Sequence, residues 1–85
     1  MKRFRREGPA GTLIYAELET GLTFAQIAKR SAHEKQDRNR KNARKAYDAV
    51  LRFRERVHCS SRDADVMNEK LERLRTDLAE LGEDI

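Results

Sequence analysis

The sequence predicts an all-α fold, an antiparallel three-helix bundle behind a disordered, basic N-terminal tail. Three observations predict it. Apolar residues recur at spacings of three and four along three separate stretches. Strand-forming residues never alternate over a useful length, so no sheet is expected. Charged residues make up 40% of the chain and hydrophobic ones 38%, a balance suited to thin apolar seams covered by charged flanks. The 85 residues make one domain at most. A chain of this length buries only about 60–65% of its unfolded surface, which leaves little room to enclose a substrate.

Residues 1–11 read as the flexible basic tail and 12–85 as the bundle. Pro9 lies between Gly8 and Gly11, and a proline there is expected to stop a helix from reaching back. Thr12 then caps a first helix over about 13–30. Its stripe is Ile14, Leu18, Leu22, Ala25, Ala28 and Ala32. Gly21 interrupts the stripe, and a glycine inside a helix costs about 1 kcal/mol against alanine. Close approach of a neighbouring helix accounts for it; a break at "ETGLT" is the rival reading.

A second helix is expected over about 33–58, started by Ser31 and Glu34 as a capping box. The rival is one rod over 13–57, whose middle would have no apolar seam to bury. Ala43, Ala46, Tyr47, Val50, Leu51, Phe53 and Val57 form the second seam. Glu34–Arg38, Asp37–Lys41 and Asp48–Arg52 stand four apart with the acid first, the better order for a helical ion pair.

"HCSSRDAD" marks the next turn, with Ser60 or Ser61 as the cap of a third helix over about 62–81. Met67, Leu71, Leu74, Leu78 and Leu81 step by four, three, four and three, and Ile85 continues the seam. Gly82 is a natural stop. Three helices on short turns pack up-down-up. The expected core is Leu18, Leu22, Ala25, Ala28, Ala46, Tyr47, Val50, Phe53, Val57, Met67, Leu71, Leu74 and Leu78.

"LETGLTFAQIA", "NARKAYDAVLRF" and "NEKLERLRTDLAELGE" together resemble a group of small bacterial all-helical proteins of unknown function, over about residues 15–82. The resemblance implies a three-helix soluble protein and brings no activity with it. "ARKAYDAVL" and "EKLERL" are also similar to microtubule-interacting-and-trafficking domains and to tetratricopeptide-type hairpins, both protein-binding helical modules. The glycine and aromatic residues that the repeat expects in its preceding helix have no counterparts here.

Chemistry-bearing residues are sparse. His58 and Cys59 are adjacent and His33 is distant, too few ligands for a zinc site and no arrangement for a Cys–His nucleophile. Glu-x-x-His is missing, and Gly8 and Gly11 lack the strand-loop-helix setting of a phosphate loop. No catalytic, metal or cofactor residue is expected, and the protein is not expected to be an enzyme. One cysteine, no leader-like apolar run and no membrane-length apolar stretch lead to a cytoplasmic expectation.

Charge is the remaining signal. Residues 1–58 carry 15 Lys or Arg against 7 Asp or Glu, and 59–85 carry 4 against 8, so +8 and −4 give the net +4. Lys2, Arg3, Arg5 and Arg6 in the tail, with Arg38, Lys41, Arg44 and Lys45 in the second helix, form the candidate basic surface. Tyr15, Phe24 and Ile27 lie off the main stripe of the first helix and form the candidate apolar interface. The leading reading is a helical protein-protein interaction module, docking an unidentified partner or a second copy of itself. The alternative is a nucleic-acid-binding accessory protein, in which the basic residues neutralise phosphates.

Overall fold

The computed structural model describes the backbone of residues 9–56 and 61–85, with the side chains of 14–56 and 62–85. It contains α1 (Pro9–Arg30), α2 (His33–Arg54) and α3 (Ser61–Glu80), and no strand among the described residues. The break between α1 and α2 excludes the single rod.

α1 begins at Pro9, four residues earlier than expected. Proline is tolerated in the first helical turn, where its missing N–H would have no intrahelical partner anyway. Residues 9–11 therefore belong to the helix and not to a tail, and Thr12 lies inside the helix and not at its cap. Lys2, Arg3, Arg5 and Arg6 lie outside the described residues.

The α1–α2 turn corrects a second expectation. No capping box forms: the N-cap of α2 is Ala32, extended at φ −111° and ψ 149°, with no side-chain hydrogen bond. The Ser31 hydroxyl donates instead to the Ile27 carbonyl at 2.7 Å. The Gln36 side-chain amide reaches back to the carbonyls of Ala28 at 3.2 Å and Ser31 at 3.4 Å. The polar residues of this turn satisfy the last carbonyls of α1, which lack partners within their own helix. α2 then starts at His33 with a left-handed φ of +46°.

α2 ends at Arg54, short of residue 58. The Arg56 N–H bonds to the Phe53 carbonyl at 2.9 Å and tightens the final turn. Val57, His58, Cys59 and the Ser60 cap lie outside the described residues.

α3 ends as expected at Gly82, whose φ is +100°. The Glu83 N–H bonds to Leu78 O at 2.9 Å and the Gly82 N–H to Ala79 O at 3.0 Å. This is a Schellman motif, which ties off two carbonyls at the helix end.

Side-chain bonds define the topology. Gln36 meets the end of α1, while Ala46 meets its middle at Gly21, so α1 and α2 run antiparallel. Lys70 reaches Glu19 and Lys29 reaches Glu80, so α1 and α3 run parallel. The bundle is up-down-up, and α1 is its best-packed member.

Ile14, Leu18, Ala25, Ala43, Tyr47, Val50, Met67, Leu71, Leu74 and Leu78 form the core cluster. Leu22, Phe24, Leu51, Phe53, Leu81 and Ile85 pack around it, partly buried. Gly21 sits where the helices meet: a Cβ there would stand 2.8 Å from Leu74 Cδ2 and 3.0 Å from Ala46 Cβ. The close-approach reading of this glycine holds, and α1 is unbroken through "ETGLT".

Candidate interaction surface

α2 concentrates the positive charge. It carries eight Lys or Arg against three acids, a net +5, while the net charge of α1 is zero and that of α3 is −2. The fold sorts six of these cations into two groups; Lys35 and Arg54 are exposed and in no ion pair among the described residues, Arg54 on the α3 side beside Asn68, Leu71 and Glu72.

The first group faces α3. Arg40 and Arg44, one turn apart, share the carboxylate of Glu83: Arg40 Nη1 lies 3.1 Å from Oε2 and Arg44 Nη1 lies 2.8 Å from Oε1. The Schellman turn at Gly82 delivers that carboxylate. Arg40 also pairs with Asp37 at 2.6 Å and Arg44 with Asp48 at 3.2 Å. Hydrogen bonds from Asp48 first and Glu83 second hold the Arg44 guanidinium above its ordinary pKa. Between α1 and α3, the Lys29 ammonium lies 2.7 Å from both Asp77 and Glu80, and Gln26 donates to Asp77 at 3.2 Å. The bond to Asp77, then that to Glu80, raises the Lys29 pKa. Lys70 bonds Glu19 at 2.7 Å and lies 5.6 Å from the centre of the Tyr15 ring, a cation–π distance. On α3 itself, Arg75 pairs with Glu72; each strengthens the charged form of the other, raising the arginine and lowering the glutamate.

The second group turns away from α3. Arg38, Lys45 and Arg52 are exposed and make no ion pair among the described residues. They follow at seven-residue intervals, about 10.5 Å apart along the helix. Lys41 beside them reaches only Asp37, at 3.8 Å. Glu34, Asp37, Arg38, Lys41, Asn42 and Lys45 line an open furrow of about 390 Å³. All six belong to α2, so it is a gap between surface side chains and not an enclosed cavity.

The candidate basic surface therefore divides. Arg38, Lys41 and Lys45 share the outer face, whereas Arg44 is committed to Glu83 and Asp48. Of the three anticipated helical pairs, Asp37–Lys41 forms. Asp48 turns to Arg44, not Arg52, and Glu34–Arg38 is not an ion pair.

The apolar candidates divide as well. Tyr15 is on the α3 side of α1, under Lys70. Phe24 packs against the core. Ile27, 37% accessible, is the exposed large hydrophobic side chain among the described residues. Phe24 is half a turn away from Tyr15 around the helix, and Ile27 is one turn on from Phe24, so both lie on the flank away from α3. Gln36 against Ala28 and Ala46 against Gly21 set the register. They bring Ile27 level with the 38–40 turn of α2 and Phe24 level with Asn42. One outer face of the hairpin thus carries Ile27, the edge of Phe24, and the unpaired cations.

Composition missed three buried polar residues: Asn39, Asp63 and Asp77. Asn39 donates to the Lys35 carbonyl at 2.8 Å within its own helix. Asp77 stands next to Leu78 of the third seam and is held by Lys29 and Gln26 of α1. Among the described residues no group of three or more His, Cys, Asp or Glu is placed to hold a metal ion, and no helix is long and apolar enough to cross a membrane. The chain matches no protein-family model, no curated protein and no solved structure.

Proposed function

We propose that this protein is a non-enzymatic helical interaction module that docks a protein partner on the outer face of the α1–α2 hairpin. The single observation that carries the reading is the sorting of charge. Lys29, Arg40, Arg44 and Lys70 are neutralised across helix interfaces, while Arg38, Lys45 and Arg52 stand unpaired along the outer face that also carries the exposed Ile27. Unpaired charges at the rim of an apolar contact steer encounter and set orientation more than they supply affinity. Exposed apolar residues mark interfaces when charged groups surround them.

A phosphate backbone fits this face less well. Glu34 and Asp37 line the same furrow as the cations; a phosphate backbone, charged at every unit, would confront them, whereas a peptide can place its carboxylates opposite the cations alone. Tyr47 belongs to the core and Phe53 packs against it, so neither is placed to stack on bases. Anisotropy of labelled single- and double-stranded oligonucleotides, titrated with the purified chain at several salt concentrations, tests the choice. The protein-docking reading expects no micromolar binding at low salt. Tight binding with a steep negative salt slope would replace it with phosphate recognition.

A further inference from the structure

We infer that the outer face of the hairpin seats an acidic amphipathic helix lying along α2. Its carboxylates repeat every seven residues opposite Arg38, Lys45 and Arg52, and an apolar side chain rests against Ile27. This inference rests on the protein-docking reading and names the chemistry of its partner.

The spacing of the three cations carries the argument. Residues seven apart on a helix are separated by about 10.5 Å along the axis, and they drift by about 20° per interval around an undistorted helix. A second helix with carboxylates at the same interval has the same repeat, and a left-handed pairing of the two follows that drift. An extended peptide does not match. Its same-face side chains recur at about 6.7 Å and then about 13 Å, straddling the cation spacing. A helix therefore meets all three charges at once and a strand does not.

The surroundings agree with a helical occupant. Between Arg38 and Arg52 the strip of α2 that separates the cations from α1 carries the short side chains of Asn42 and Ala49, neither fully exposed, with the longer Lys35 and Phe53 only at its two ends, so a helix can lie close to the middle of the hairpin. Arg38 to Arg52 spans about 21 Å, two heptads, long enough for a helix of ordinary length to engage throughout. None of the three cations has a competing ion pair among the described residues, so docking breaks no bond the bundle uses.

The test uses the full chain and two stapled helical peptides of about three heptads. Both have the same Glu, Leu and Ala composition. One places Glu at seven-residue intervals beside a Leu, and the other shuffles those positions. The in-register peptide is expected to bind about tenfold more tightly than the shuffled one, the yield of three exposed ion pairs together. That advantage is expected to vanish in Arg38→Glu/Lys45→Glu/Arg52→Glu. The neutral Arg38→Gln/Lys45→Gln/Arg52→Gln chain serves as the second variant and should also lose the preference, with unchanged helicity as the control on folding. Equal affinity for the two peptides overturns the inference, because register is then not read. No binding of either peptide, with oligonucleotides also inert, overturns it while leaving the protein-docking reading in place. Oligonucleotide binding with a steep salt slope overturns both.

Discussion

Gly21 stands where α1, α2 and α3 converge, and its missing side chain is what lets them. A methyl group there would meet Leu74 at 2.8 Å and the immobile Ala46 Cβ at 3.0 Å. Overpacking of this kind costs about 1–3 kcal/mol, against about 1 kcal/mol gained in helix propensity. Gly21→Ala is therefore expected to lose about 1 kcal/mol net, lowering the midpoint of thermal unfolding by about 4–8 °C. An unchanged or raised midpoint would contradict close approach as the reason for glycine. Lys29 supplies a second residue-scale prediction. Removing its ammonium in Lys29→Met leaves the largely buried Asp77 with Gln26 alone, a loss of about 1–3 kcal/mol. Because the Lys29 pKa is raised above 10.5 in the folded chain, its contribution is complete below the unfolded value and is lost as pH climbs through the folded one. Urea unfolding of the two proteins should differ by a constant amount from neutrality to about pH 10 and converge above it. Gly21 could be read from sequence because a glycine in an apolar stripe has few other uses. The burial of Asp77 could not, because its partners lie 51 and 48 residues away.

Each helix end is settled by a different device, and this is where sequence and structure part most. Pro9 opens α1 although a proline flanked by glycines reads equally well as a barrier. Ser31 and Glu34 have the spacing of a capping box, yet the serine serves the preceding helix. In a turn of two residues the unpaired carbonyls of α1 compete with the unpaired N–H groups of α2 for the same side chains, and spacing alone does not reveal which side wins. Gln36→Ala is expected to cost about 1 kcal/mol in chemical denaturation by releasing the Ala28 and Ser31 carbonyls. Glu34→Ala should cost less, because Glu34 makes no cap bond. Gly82 is legible as a stop, since a left-handed φ of +100° at a helix end leaves few alternatives to glycine.

Across the whole molecule, hydrophobic periodicity sufficed for the helix count and most of the core, and the short turns for the up-down-up order. Ten of the expected core side chains are buried, Leu22 and Phe53 are partly so, and Ile14 and Ala43 join them. The candidate surface was only half legible, because spacing along one helix says which residues are neighbours and not which of them another helix will claim. Arg44 and Lys45 are adjacent in sequence, yet one is bound to Glu83 and the other stands free among the described residues. That division predicts stability as well as binding. Arg38→Glu/Lys45→Glu/Arg52→Glu should unfold within about 1 kcal/mol of the parent chain, as exposed surface substitutions do. Arg40→Ala/Arg44→Ala should destabilise by more, since Glu83 is only 15% accessible and loses both partners.

The uneven packing among the helices has a consequence in time. α1 is joined extensively to α2 and less to α3, while α2 and α3 meet least. The hairpin is also local in sequence, so its closure requires little chain to be ordered. This predicts that the third helix is the first cooperative unit to open under native conditions and that the first two open only with the whole fold. Amide hydrogens of α3 should exchange with deuterium through a partial opening, sooner than those near Leu18, Ala25 and Val50.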